Sequence, residues 1–400
     1  MQRVASTDPP PAAPSDRWAR IAGCIGAAFL LIGLALLAHT SRADRRQVLG
    51  RYSVDYFGLV AFLVASGAWW AGGLRRGSAW ARAAGRSLRV AVEAAGLALF
   101  TFALIEGACR LVERPLSRYI GGPALARRYQ DMVHLNSRRM RGPEWSLARP
   151  PGTWRLLALG DSFTFGLGVP QESTCVRHLE RDLARPGGPR VEVINTGWTG
   201  YNTVEERAVL DTLGLRFQPD LVLLGYCLND PERRNTTFPL VVPEPIALRL
   251  GWSVAYHSVR ALAYHVMVAL KLRPGYTDYI HSLYDTGTPE WRRHVQALRG
   301  IVADARAAGA PVVVAVWPLP DHAHGFSPYE FAREHEQAVR AVEASGALVV
   351  DLLPLFAHGR YTDFALSDWD PHPNPGAQRR AAAAIRDVIE ARGLGPGGAR

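Results

Sequence analysis

In the stretch "RLLALGDSFTFGLG" (155–168) a run of apolar residues meets Gly160-Asp161-Ser162. A serine held at the tip of a buried strand can attack an acyl carbonyl if a base takes its proton and a third group orients that base. The stretch "SDWDPHPNPGAQ" (367–378) offers both: His372 lies between Pro371 and Pro373, with Asp370 two residues and Asp368 four residues before it. Attack on a carbonyl also builds negative charge on its oxygen, which needs preorganised N–H donors. Three are in view. The Ser162 N–H would open a helix, Gly200 in "NTGWTGYNT" (195–203) can bring a bare backbone N–H close to a ligand, and Asn229 in "GYCLND" (225–230) carries a side-chain amide. Taken singly, each is equally a turn or cap residue.

Other chemistry is poorly supported. Gly160 and Ser162 fit a Gly-x-Ser-x-Gly elbow, but position 164 is Thr. In "DHAHG" (321–325), beside Asp321, the two histidines His322 and His324 could bind a metal, but no third ligand is apparent and the segment reads as a loop, so no metal and no organic cofactor is expected. None of Cys24, Cys109, Cys175 and Cys227 forms a C-x-x-C pair; a Cys175–Cys227 disulfide stays open.

The elements that must carry these residues follow from periodicity. Short apolar runs at 155–160, 191–197, 220–227, 310–318 and 347–354 alternate with amphipathic stretches near 173–185, 203–214, 289–308, 328–345 and 376–392. Fully apolar strands alternating with helices predict a parallel sheet covered on both faces, with ligands bound outside the carboxyl ends of the strands. The connection 231–288 is long for such a sheet and contains an apolar helical stretch, 251–273, readable as a lid, a substrate wall or a helix resting on a bilayer surface.

"GDS" (160–162), "NTGWTG" (195–200), "GYCLND" (225–230) and "DPHPN" (370–374) resemble, in order, the four consensus blocks of the SGNH (GDSL-like) hydrolase superfamily. "LNSRRMRGPE" (135–144) resembles the lead-in of its membrane-attached bacterial members. The resemblance spans residues 153–392 and implies a flavodoxin-like three-layer α/β/α domain. It implies Ser162 as nucleophile, His372 as base, and the Ser162, Gly200 and Asn229 donors as oxyanion hole. The family pattern has an Asp three residues before the His; here that residue is Trp369, so the third member is expected to be Asp370, with Asp368 the alternative.

The formal charge of +10 and pI of about 9.8 come almost wholly from arginines scattered along the chain, Lys271 being the lone lysine. Without a basic–aromatic groove or a recognition-helix pattern, no nucleic-acid partner is expected. Residues 1–16 are rich in Pro, Ser and Ala and read as a disordered tail, and 393–400 reads as a C-terminal tail. Residues 17–112 are expected to form a membrane region with three apolar runs, 21–38, 56–74 and 90–109, followed by a linker and lead-in at 113–152. Glu93 and Glu106 interrupt the third run, which either spans or lies on the membrane. Eight arginines flank one side of a three-span arrangement and seven the other, which leans toward an extracytoplasmic C-terminal domain in a bacterial inner membrane. The expected activity is hydrolysis of an acyl ester of an envelope glycan or lipid. The alternatives are O-acyl transfer onto an envelope polysaccharide and an idle, membrane-tethered glycan-binding protein.

Overall fold

Every residue of Thr153–Gly160 is buried, as a strand covered on both faces requires. In the computed structural model this run is β1. The structure describes residues 47–48, 52–53, 101–102, 104–109, 133–233, 253–272, 274–321, 324–367 and 370–397. β2 (Arg190–Asn195), β3 (Leu221–Tyr226), β4 (Val312–Val316) and β5 (Leu348–Asp351) complete a five-stranded sheet. All pairings are parallel and the spatial order is β2-β1-β3-β4-β5, the flavodoxin-like order.

The described helices are α1 (Ser162–Phe165), α2 (Cys175–Leu183), α3 (Thr203–Thr212), α4 (Val254–Ala269), α5 (Tyr276–Leu283), α6 (Pro289–Ala307), α7 (Ala332–Ser345), α8 (Tyr361–Phe364) and α9 (Pro375–Ala391). Of these, α2, α3, α6, α7 and α9 lie on the amphipathic stretches and α4 lies within 251–273, whereas α5 and α8 fall on none of them. Between α8 and α9, β6 (Ala365–Ser367) and β7 (Asp370–Pro373) form an antiparallel ribbon. The step from β1 to β2 runs one way along the sheet and the step from β2 to β3 runs back. With right-handed crossovers α2 and α3 therefore fall on opposite faces. α9 packs on α2, and α6 packs on α3, so each face carries its own helical layer.

Local sequence sets the helix starts. Asn202 and Glu205 make a reciprocal capping box on α3. Thr288 caps α6 and Asn374 caps α9, each followed by a proline at the first helical position, where its missing N–H costs nothing. At the amino end of the sheet the fully buried Arg155 pairs with Glu192 at 2.8 Å and donates to the Leu147, Phe217 and Ser146 carbonyls. That set of partners is what makes a buried guanidinium tolerable.

By contacts the chain divides into one unit of Met1–Pro115 with Glu244–Val259 and another of Leu116–Pro243 with Arg260–Arg400. In the first, residues 104–109 are helical and Glu106 is buried, accepting from Ser253 Oγ (2.7 Å) and Ala255 N (2.9 Å) at the start of α4. Of the two carboxyl groups that interrupt the third apolar run, that of Glu106 is thus satisfied on a helix N-terminus, and Glu93 lies outside the described residues. Among the described residues no helix is long and apolar enough to cross a membrane. The runs 21–38 and 56–74 and most of 90–109 lie outside the described residues, as do both terminal tails apart from residues 393–397. Cys109, Cys175 and Cys227 are free thiols, so the Cys175–Cys227 disulfide left open by the sequence is not formed.

Candidate active site

β1 ends in a turn that the packing leaves no room to alter. Asp161 caps α1 by accepting from Phe163 N (2.8 Å), and Gly166, left-handed at φ 77°, closes the helix one turn later. A Cβ on Gly160 or on Gly225, at the tip of β3, would stand 2.1 Å from Thr164 Oγ1. Glycine at both tips lets α1 sit directly against the strand ends, with Ser162 at its first position. Asn195, at the end of β2, donates from Nδ2 to the Thr164 carbonyl (3.0 Å), and Trp198 N donates to the Gly160 carbonyl (3.0 Å).

His372 arrives from β7, after the last sheet strand. Its Nε2 is 2.8 Å from Ser162 Oγ and its Nδ1 is 2.5 Å from Asp370 Oδ1. Asp370 and His372 are two apart in an extended strand, so their side chains project to the same side. Asp370 Oδ1 also accepts from the His372 backbone N–H at 3.0 Å. The imidazole ring packs on Phe163, with centroids 5.3 Å apart, and Phe163 in turn meets Trp317 and Phe364. Asp368 and Trp369 lie outside the described residues.

Burial presses the His372 pKa down. The Asp370 charge and hydrogen bond, with Asp161 behind them, more than offset this and hold it above the ordinary imidazole value. Asp161 is itself raised by burial, against the pull of the Phe163 N–H and the His372 charge. The arrangement can move a proton from Ser162 Oγ to Nε2 while Asp370 balances the imidazolium.

The expected oxyanion donors follow adjacent strands. Ser162 lies two residues beyond β1, Gly200 five beyond β2 at φ 79°, and Asn229 three beyond β3 in a turn closed by Asp230 N to the Cys227 carbonyl. Asp321 and His324 bond to each other at 2.8 Å in a loop, His322 lies outside the described residues, and no metal-binding group occurs among the described residues.

Two supports escaped the sequence reading. Arg141, buried in the lead-in segment, donates to the carbonyls of Phe165 (2.9 Å), Gly166 and Val169 (2.6 Å), tying down the end of α1. Gln378, fully buried in α9, accepts from Cys175 N (2.7 Å) and donates to the Phe163 carbonyl (3.2 Å). The arginine-rich lead-in was visible as a motif, but only tertiary contact shows which arginine turns inward.

A doubly wound parallel sheet carrying a serine, an imidazole and a carboxylate in one hydrogen-bonded line at its carboxyl end defines a class built for acyl chemistry. The chain belongs to the GDSL-like lipase/acylhydrolase family, whose model matches residues 158–380, and it is an SGNH-type hydrolase acting on ester bonds. No curated protein matches it. Among solved structures it is similar to TesA (20% identity, 59% of this chain and 98% of that one, TM-score 0.38). It is similar also to a lipase/acylhydrolase from Enterococcus faecalis (17%, 62% and 99%, 0.38). A third is a mutant of Axe2, an acetylxylan esterase from Geobacillus stearothermophilus (18%, 59% and 94%, 0.36). Likenesses of this size leave the assignment resting on the family match.

Proposed function

We propose that the protein cleaves an acyl ester by serine catalysis, with Ser162 as nucleophile, His372 as general base and Asp370 as the group that orients it. Ser162 Oγ bonds to the ester carbon while its proton passes to His372 Nε2. Collapse of the tetrahedral intermediate expels the alcohol, which takes that proton. Water then repeats the sequence on the acyl-enzyme, releasing the acid and restoring the hydroxyl. Ser162 N, Gly200 N and Asn229 Nδ2 serve as the oxyanion donors. The observation that carries the reading is the continuous line from Asp370 Oδ1 through the imidazole to Ser162 Oγ, at 2.5 and 2.8 Å.

The apolar runs 21–38, 56–74 and 90–109 support a membrane-anchored enzyme with its hydrolase domain outside the cytoplasm, and so an ester of an envelope glycan or lipid as substrate. A fluorophosphonate probe labels the full-length protein, and Ser162→Ala abolishes both the label and hydrolysis of a short p-nitrophenyl ester, by about four orders of magnitude or more. Unchanged turnover in that variant removes Ser162 from the mechanism. Protease accessibility of the domain in sealed vesicles tests the sidedness. A sugar hydroxyl that outcompetes water for the acyl group would make the enzyme a transferase with the same first half-reaction.

A further inference from the structure

Arg139 lies in the left-handed backbone region at φ 63°, which a residue with a long side chain rarely adopts. The lead-in segment holds it there from both sides. Asn136 Oδ1 accepts from Arg138 N and from Met140 N, each at 3.0 Å. The Asn136 carbonyl accepts from Arg139 N (2.9 Å), and Asn136 N donates to the Met140 carbonyl (2.9 Å). Strain that the surroundings overdetermine in this way points to a task for the side chain it displays. That side chain is exposed, but it is directed: the guanidinium carbon stands over the Trp198 ring, 5.4 Å from its centroid.

Trp198 is where the loop after β2 meets the tip of β1. Its N–H donates to the Gly160 carbonyl (3.0 Å), and its ring meets the Phe165 ring edge to face, with centroids 5.5 Å apart, one turn of α1 beyond Ser162. The residue before it, Gly197, lies so close to α1 that a Cβ there would stand 2.8 Å from Phe165 N. On its other side, Tyr201 N donates to the Trp198 carbonyl at 3.1 Å and closes a turn. Gly200 is the third residue of that turn, at φ 79°, a place where a left-handed φ calls for glycine. Printed in these contacts is one continuous path: Arg139 to the Trp198 ring, the ring to α1, and the Trp198 carbonyl to the turn that contains Gly200. The ring is only half-buried, so Phe165 alone does not enclose it, and the guanidinium adds a second, charge-assisted contact.

We propose that Arg139 and Trp198 are positioning residues: the Arg139 guanidinium clamps the Trp198 ring, and the ring fixes the turn that presents Gly200 N–H to the oxyanion. The inference rests on the reading of Gly200 as an oxyanion donor. A loosened turn misplaces a donor that matters only once charge has built on the carbonyl oxygen, so the loss falls on kcat and spares KM.

The test uses the full-length protein. Glycine adopts a left-handed φ freely, so Arg139→Gly removes the guanidinium while relieving the backbone, and its denaturation midpoint stays near that of wild type. Its kcat for a p-nitrophenyl ester falls about fivefold, which is what one exposed cation–π contact is worth when fully transmitted, with KM within about twofold. Arg139→Lys keeps a cation for the ring but not the planar fork, and recovers part of the loss. Trp198→Ala loses more, approaching the factor of about a hundred that removing one oxyanion donor costs, and Trp198→Phe recovers part of it. Affinity for an alkylboronic acid, whose tetrahedral serine adduct puts an oxygen in the oxyanion hole, falls in each variant by the same factor as kcat. A merely structural role would lower the midpoint and leave boronate affinity in step with KM. An Arg139→Gly enzyme with wild-type kcat and boronate affinity overturns the proposal, as does one whose whole loss lies in KM. Fluorophosphonate labelling of the same samples separates the two readings: a labelled wild type beside an unaffected Arg139→Gly sinks the inference alone, whereas an unlabelled wild type sinks the Ser162 mechanism and the inference with it.

Discussion

His372 Nε2 stands 2.8 Å from Ser162 Oγ across a chain separation of 210 residues. The contact joins the first strand's turn to a ribbon that follows the last sheet strand in the chain. Each end has supports beyond this contact. Asp161, Gly166 and Arg141 fix α1, while Asp370, together with the Phe163 ring of α1 itself, fixes the imidazole. Both side chains are thereby oriented before a substrate arrives, which is the preorganisation that acyl chemistry rewards.

The first prediction concerns the acid limb. Catalysis by His372 needs the neutral imidazole, and the Asp370 charge offsets burial to raise its pKa. The kcat/KM for ester hydrolysis therefore falls with acidification at a midpoint above the ordinary value of about 6.5. Asp370→Asn removes the raising partner, moves that midpoint down and lowers kcat by about two to four orders of magnitude. Asp368→Ala, measured beside it, stays within about threefold of wild type if Asp370 is the orienting group. Equal losses in the two variants would reject that choice. The same raised pKa has a stability counterpart. The pair's contribution is present in full below the unfolded imidazole value and is lost as pH rises through the folded one.

A second prediction comes from the strand tips. The Cβ of Gly225→Ala would meet Thr164 Oγ1 at 2.1 Å, so α1 must lift or Thr164 must turn in a site with no slack. The variant loses about 1–3 kcal/mol of stability in chemical denaturation, with kcat falling more than KM rises because Ser162 moves with α1. Adding Thr164→Ser, which keeps the oxygen but frees its rotamer, recovers part of the loss. Full stability in the single variant would show that the contact is not a constraint.

The sheet was legible because buried parallel strands are written as contiguous apolar runs. The five runs from 155–160 to 347–354 each contain or overlap a strand. Ser162, Asp370 and His372 stood out because each sits where a strand or a pair of prolines ends regular structure. The choice between Asp370 and Asp368 did not follow from composition. It turns on Asp370 and His372 sharing an extended segment in which residues two apart face the same way. Arg141 and Gln378 were illegible for a different reason. Polar side chains in helices or loops look like solvent-facing residues until tertiary packing closes over them. Arg141 reaches carbonyls 24 to 28 residues away, and Gln378 bridges to groups 203 and 215 residues distant. The apolar runs 21–38 and 56–74 remain readings of hydropathy.

The last prediction isolates one of those supports. Arg141 donates to three carbonyls at the end of α1, and burial lowers its pKa to about 10, so it stays charged at neutral pH. Those carbonyls, on Phe165, Gly166 and Val169, have the guanidinium as the cap on the turn that follows Ser162. Arg141→Met keeps most of the buried volume but leaves them without that donor, at a cost of about 2–4 kcal/mol, read as a lowered denaturant midpoint. Arg141→Lys restores charge but not the planar fork that reaches several acceptors at once, so it recovers less than half of the loss. If Arg141 acts on catalysis through α1, both variants lower kcat at temperatures where circular dichroism shows them fully folded, and fluorophosphonate labelling of Ser162 slows in proportion. A folded Arg141→Met enzyme that labels at the wild-type rate would confine Arg141 to stability alone.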